Sequence, residues 1–450
     1  MVAAALAKTD DRMSPPHESK ICAMETSSQP GPFSFRIGVV NEPQNELKGF
    51  SPRGLASLAR PHDPKPFLKD CLMIPQSRPL IEVFADLPDF RKSKGKRHPL
   101  SAILSLACCA MLCGYRSYSA IAEWGRNYGT PIAQALGFTH QTPCAATLHT
   151  IFRQLDHEVL EAKLGTWADE VMTSVPAADT APEEAMAVDG KTLRGSKKQG
   201  APGTHLVSVV GHRLGLTLTQ QAVDAKTNEI KAIETVLEQI VLTGRILTME
   251  ALLTQRQVAQ TIVDNGGDYV MIVKNNQPQL RADIELVFAL PPWGDHQPST
   301  RTVEGGHGRI ESRNLTTSEA LVGYSDWPRL AQVFKVGRQG IEKKTGEERV
   351  ERVYGVTSLS AERATPERLL ELVRGHWAIE NRSHWVGDVT YDEDRSQGRS
   401  GSIPQVMAAL RNTAIGLLRS AGYSNIAKAG RELAAQPAKA LALVGVVLEN

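Results

Sequence analysis

Asp189 closes a short apolar run, Ala185 to Val188, and is followed at once by a glycine and then by Lys191 and Arg194, in the stretch AMAVDGKTLRGS. Apolar cores take a carboxylate only when something pairs with it. A carboxylate at a buried strand end with cations beside it therefore suits a divalent metal and a phosphate; the plainer alternative is an ordinary strand-ending turn. Two later segments repeat the theme. The run Ile246 to Met249 ends on Glu250, inside a strand–helix–strand pattern from Leu242 to Gln277. The helical stretch from Leu369 to about Trp385 carries Glu380 between His376-Trp377 and His384-Trp385, and a period of 3.6 puts His376, Glu380 and His384 on one face. Three carboxylates from distant segments, two at strand ends, is what two-metal phosphoryl transfer requires. Such a site holds two cations about 3.5–4 Å apart. Mg²⁺ takes oxygen ligands and only a few protein carboxylates, substrate phosphate supplying the rest.

These pieces have company. LPDFRKSKGKRHPLSAILSLACCAMLCGYRSYSAIAEWG (Leu87 to Gly125), HLVSVVG, KTNEIKAI, GGDYVMIVKNNQ, GHGRIESR and HWAIENRSHWVGDVTYDEDRSQGR follow one another between about Met73 and Arg419. In this order the chain resembles the DDE transposases of the H-repeat-associated insertion-sequence family, often found with Rhs elements. The resemblance implies a ribonuclease H-like α/β catalytic domain with a β-rich insertion, preceded by an all-α transposase-associated domain. It makes Asp189 the first metal-binding carboxylate and Glu380 the third. It also implies Mg²⁺, with Mn²⁺ as substitute, cleavage of one strand at each element end, and strand transfer into target DNA. Element ends and target DNA are the expected partners, and acting on two ends at once implies a homodimer on DNA.

The chain departs from the family at the second carboxylate. The family pattern is T-x-D-A, whereas this chain reads Thr248-Met249-Glu250-Ala251. The added methylene displaces the carboxylate oxygens, which Mg²⁺ tolerates poorly. The expectation is a D-(E)-E triad of Asp189, Glu250 and Glu380, with activity impaired by Glu250. Two other readings stay open: a relic that binds element ends without cutting, and a metal-dependent nuclease without strand transfer. Related transposases also place Tyr, Arg and Lys around their glutamate where this chain has Val373, His376 and Gly387.

The elements that must position these residues follow from the patterning. Residues 1–75 lack periodicity and read as a disordered extension, with Met73 a candidate natural start. A helical unit spans 76–175, with helices at Leu100–Cys113, Ser119–Tyr128, Pro143–Asp156 and on to about Val175. The linker Pro176–Ala185 leads into a catalytic unit at 183–425. Its expected order is three strands (to Asp189, His205–Gly211, Leu216–Val223), helix Asn228–Leu242, strand Ile246–Met249, helix Thr254–Asp264, strand Tyr269–Lys274 and helix Gln279–Ala289. That order implies a mixed sheet flanked by helices. A β-rich insertion at about 291–365 holds strands Arg309–Thr316, Ala331–Arg338 and Val350–Ser358. A last helix, Ile403–Ser420, closes the unit, and 426–450 is a helical tail.

Composition sets the outer bounds. A chain of 450 residues exceeds one compact core. Its 51 basic and 49 acidic residues nearly cancel, so DNA contact must come from local patches. There is no apolar run of the ~18–20 residues that spans a bilayer, and the start lacks the order of a secretory signal. The six cysteines form no CxxC pair. Cytoplasmic action on the nucleoid is the expectation. The run Arg91 to Arg97 has five cations in seven residues; Lys92, Lys94, Lys96 and Arg97 form either a solvated loop or a clamp on phosphates. Lys191, Arg194, Lys274, Gln277, His307, Arg309 and Arg313 are further candidate DNA contacts. Trp377 and Trp385 read as core packing, His376 and His384 as supporting donors or core residues. The acidic group Asp388, Asp392, Glu393 and Asp394 reads as a loop salt-bridged to Arg395 and Arg399.

Overall fold

Between Leu80 and Ser174 the chain is helical, because its apolar residues recur at helical spacing around one hydrophobic rod. The computed structural model describes residues 78–174, 183–197, 202–223, 229–306 and 308–448. The rod is α2 (Leu100–Leu112), buried at all but one position. Around it lie α1 (Leu80–Ala85), α3 (Tyr118–Asn127), α4 (Gly129–Ala135), α5 (Ala145–Gln154) and α6 (His157–Ser174). The sequence reading lacks α4, a short helix that begins on a glycine at φ +78 and carries Pro131 in its first turn. The readings for residues 1–75, the Met73 start and most of the 176–185 linker lie outside the described residues.

The remainder is organised on one nine-stranded sheet in the order β3-β2-β1-β4-β5-β9-β8-β7-β6. The first five strands are β1 (Glu184–Thr192), β2 (His205–Gly211), β3 (Thr217–Val223), β4 (Arg245–Met249) and β5 (Asp268–Val273). The pairs β1–β4 and β4–β5 are parallel, while β1–β2 and β2–β3 are antiparallel. The connecting helices are α7 (Glu229–Glu238), α8 (Arg256–Asp264) and α9 (Pro278–Ala289). The insertion supplies β6 (Ser299–Gly306), β7 (Arg309–Ser318), β8 (Gln332–Glu342) and β9 (Glu348–Thr357), all antiparallel. It does not stand apart: β9 pairs with β5 and continues the same sheet. The sequence reading has no β6, whose largely exposed residues give no buried alternation.

Side-chain alternation divides the sheet's two faces. Met186, Val188, Leu247 and Met249 join the core under α7, α8 and α2. Ala185, Ile246, Val270 and Ile272 face α10 (Pro366–Ile379). After a π-helical continuation of α10, the chain forms α11 (Ile403–Ser420), which packs against α2, α5, α6 and β3. The final helices α12 (Ile426–Ala435) and α13 (Pro437–Leu443) return to α2, with Leu433, Leu441 and Val444 buried in the shared core. Among the described residues no helix is long and apolar enough to cross a membrane.

Candidate active site

Period 2 carries two carboxylates to one place. On β1, Ala185 and Ala187 face α10, so Asp189 does too; on β4, Ile246 and Thr248 share that face with the next step of two, Glu250. The parallel register pairs Ala187 with Thr248 and Val188 with Met249, which leaves Asp189 and Glu250 where the β1–β4 pairing stops; β1 itself does not end at Asp189, as expected, but runs on to Thr192 paired with β2. Helix α10 lies over them. Its close approach is permitted at Gly375, where a Cβ would stand 2.2 Å from the His212 ring.

Under α10 a chain of polar groups joins three elements. His212 Nε2 lies 2.9 Å from Thr248 Oγ1, which lies 3.0 Å from His376 Nδ1 and donates to the Met186 carbonyl at 3.3 Å. Burial pushes His212 down to about 3, helped by the charge of its neighbours. Burial also lowers His376, although the Asp189 and Glu250 carboxylates oppose it. Asp189 accepts from the Gly190 N–H at 2.8 Å and meets His384 Nδ1 at 3.2 Å. Burial alone would raise the Asp189 carboxyl; the His384 hydrogen bond, the nearby histidine charges and the Gly190 N–H together hold it below its ordinary value.

The expectation that His376, Glu380 and His384 share one face needs correction. From Glu380 to His384, and again from Val386 to Thr390, the helix is π. Four residues overshoot an α turn and undershoot the wider π turn. His384 thus swings back to the side of His376, towards the sheet, and Glu380 is left exposed. Glu250 is engaged as well: Oε2 takes Lys274 Nζ at 3.0 Å and Oε1 accepts from Trp377 Nε1 at 3.3 Å. Carboxylate oxygens are the donors Mg²⁺ prefers. As placed, however, the trio does not fit one ion: among the described residues no group of three acidic, His or Cys side chains could hold a metal.

Lys191 turns inward, its side chain 15% exposed. It hydrogen-bonds Glu393 Oε2 at 2.5 Å and the His384 carbonyl at 3.2 Å, and forms an ion pair with Asp388 Oδ1 at 2.9 Å. Glu393 also pairs with Arg411 on α11, which is 2% exposed. Burial opposes ionisation of Glu393, but Arg411 and Lys191 keep it below its ordinary value. This buried group of charges straps the π segment to β1. The acidic loop is therefore held mainly by Lys191 and Arg411, neither of which local spacing singles out as its partner. Arg395 does meet Asp392 at 3.7 Å, while Arg399 donates to the Gly195 carbonyl.

The remaining candidates disperse. Arg194 is 80% exposed and 3.6 Å from Asp394. Lys92, Lys94, Lys96 and Arg97 are exposed around the 3₁₀ turn Ser93–Gly95. Gln277 donates to the Thr254 carbonyl and Gln255. Arg309 is exposed at the start of β7, and His307 lies outside the described residues. Trp377 is half-buried against Glu250, whereas Trp385, expected in the core, is 54% exposed because the π turns rotate it outward. Lys274, Arg313, Glu250 and Glu380 do meet, in a cavity of about 420 Å³ between the end of β5, the insertion strands and α10. Arg338 and Arg374 join them there; no motif marks either, since the fold alone collects them.

Comparison with known proteins finds two matching regions. Residues 81–168 match the family model described as DDE_Tnp_1-associated, and residues 180–417 match that of the Transposase DDE domain. A protein of Escherichia coli O157:H7 named "Putative transposase YncI" is 30% identical over 76% of this chain and 87% of its own length. The "H repeat-associated putative transposase YhhI" of Escherichia coli K12 is 28% identical over 75% of this chain and 90% of its own. A piggyBac transposase in a synaptic complex with hairpin DNA superposes with a TM-score of 0.36 at 9% identity, covering 81% of this chain and 76% of that one, a likeness too slight to bear on the fold.

Proposed function

Because the chain belongs to the DDE transposase family, we propose that it cuts the ends of an insertion sequence and transfers the freed strands into target DNA. The observation that carries this reading is the convergence of Asp189 and Glu250 where the parallel pairing of β1 and β4 stops, beneath the helix that leads to Glu380. The strand order β3-β2-β1-β4-β5, with β1 bearing one carboxylate and β4 leading to the next, supports a ribonuclease H-like catalytic domain. On this reading residues 78–174 are the associated all-helical domain, and element ends, target DNA and a second copy of the chain are the partners.

In this reading the chain's own residues do the positioning. The Lys191–Glu393–Arg411 strap fixes the third-carboxylate helix to the first-carboxylate strand. The His212–Thr248–His376 chain sets the distance of α10 from the sheet. Such preorganisation is the main contribution a protein makes to phosphoryl transfer. The cofactor of the reading is Mg²⁺, or Mn²⁺ in its place, which neutralises charge on the phosphate; to hold it, Asp189 and Glu250 would have to give up their present partners. A second reading, a copy that binds element ends without cutting, is favoured by one observation: the longer Glu250 side chain reaches Lys274 and Trp377.

Cleavage of a DNA fragment carrying the flanking element ends tests both. Nicking that needs a divalent cation and is lost in Asp189→Asn upholds the enzyme. Binding of the ends with no nicking, by this chain and by Glu250→Asp alike, upholds the relic.

A further inference from the structure

The cavity beside Glu250 and Glu380 has an unusual lining. Four cations reach it from four separate elements: Lys274 after β5, Arg313 on β7, Arg338 on β8 and Arg374 on α10. All four already face carboxylates. Glu304 takes Arg374 at 2.7 Å and Arg313 at 3.2 Å, so one acidic group bridges helix and hairpin. Glu311 takes Arg313 and Arg338. The members differ in how firmly they are held. Arg313 has an 11% exposed side chain and two partners, yet its Nε is buried with no hydrogen-bond partner. Arg338 and Arg374 are about two-fifths exposed and open to the cavity. An exposed ion pair is weak and exchanges readily. A guanidinium set in such pairs gains by taking a phosphate, whose oxygens match its fork two at a time. Ile272, Val353 and Trp377 add an apolar wall against which a sugar can rest.

We infer that this cavity seats a backbone phosphate of the DNA strand, gripped by Arg338 and Arg374, beside the bond that the carboxylates address. The inference rests on the proposed DNA-cutting function and adds to it a site and its ligand. Glu304 and Glu311 hold the two guanidiniums in place until the phosphate arrives. Arg313, with the firmest pairing, keeps β6 and β7 in register with α10.

The test is binding of a fluorescent duplex of arbitrary sequence to the full chain across a salt series, comparing it with Arg338→Gln/Arg374→Gln. The double variant should bind several-fold more weakly at low salt. Its plot of log affinity against log salt should be shallower by about one, the value for one phosphate no longer neutralised. Unchanged affinity and slope in a variant that keeps its melting temperature would overturn the inference and leave the function standing. No DNA binding by the parent chain would overturn both. Inorganic phosphate is the control for a bare anion site: if it raises the melting temperature of the parent alone while DNA affinity is equal in the two proteins, the cavity is not on the DNA path and the inference fails. Should the double variant not fold, Arg374→Gln, which removes a guanidinium paired with Glu304 at an exposed site, carries the same comparison.

Discussion

At the scale of single residues, Glu250 decides more than any other. Its carboxylate is engaged by Lys274 and Trp377. Glu250→Asp shortens its reach, and nicking of element-end DNA should rise by roughly tenfold or more, a change of about 1.4 kcal/mol in barrier. A rate equal to or below the parent's would show that glutamate serves as well. His212 makes a separate prediction. Folded, its imidazole stays neutral down to about 3, whereas in the unfolded chain it takes a proton near 6.5. The unfolded state therefore gains the proton first, and stability should fall as pH drops below ~6.5, by up to ~1.4 kcal/mol per unit. Urea unfolding between pH 7.5 and 5.5 should show that slope, and His212→Asn should reduce it. Asp189 and Glu250 were legible as carboxylates on the sheet because period 2 and an apolar run announce them, although β1 runs three residues past Asp189. His212 and Thr248 were not: nothing local says that a histidine after β2 meets a threonine within β4.

At the scale of elements, α10 and its π continuation set the site. Gly375 is the contact point, and a methyl there would overlap the His212 ring. Gly375→Ala should cost about 1–3 kcal/mol in chemical unfolding, the usual penalty for overfilling a packed interior, and should slow cleavage by shifting Glu380. A variant as stable as its parent would mean that the helix can slide aside. Most elements were readable from the chain, with ends shifted by up to four residues, as at the ends of α7 and β8. The helix bearing Glu380 was legible as a helix but not as π. An α and a π turn draw on the same residues, and the choice is made by Lys191, Asp388 and Glu393 pulling the segment onto β1. β6 escaped because its hydrogen bonds, not its burial, make it a strand.

At the scale of the whole molecule, the helical unit and the sheet share a core, and one buried carboxyl marks the join. Glu161 on α6 accepts from Gln220 on β3 at 2.7 Å, and Gln220 in turn accepts from Asn412 on α11. Burial raises Glu161 to about 8 from 4.5. In the unfolded chain it ionises first as pH rises, so its contribution to stability is complete below about 4.5 and drains away towards 8. Glu161→Gln, which keeps the shape without the charge, should be more stable than the parent at pH 8 by up to ~4 kcal/mol and nearly equal at pH 4.5. Equal stability at both would place the carboxyl in water. The exposed cations of the Ser93–Gly95 turn belong to this scale too. Alanines at Lys92, Lys94 and Lys96 should weaken binding to any DNA and flatten its salt dependence; an unchanged slope would make the turn a bystander. The succession of the first five strands and their helices could be read from the chain, though not their order β3-β2-β1-β4-β5 in the sheet. That the insertion extends their sheet could not, because the β5–β9 pairing spans some eighty residues without a local signal.

That pairing has a cost for anyone who would shorten the chain. β5 is buried along its whole length and has β4 on one side and β9 on the other. Excising the insertion would strip β9 away and turn Asp268–Val273, an uncharged apolar ribbon after its first residue, into a naked border of unpaired N–H and C=O groups. Such borders recruit other chains. A trimmed protein should therefore precipitate before it could be tested for anything else, and the insertion is the selvedge of this sheet.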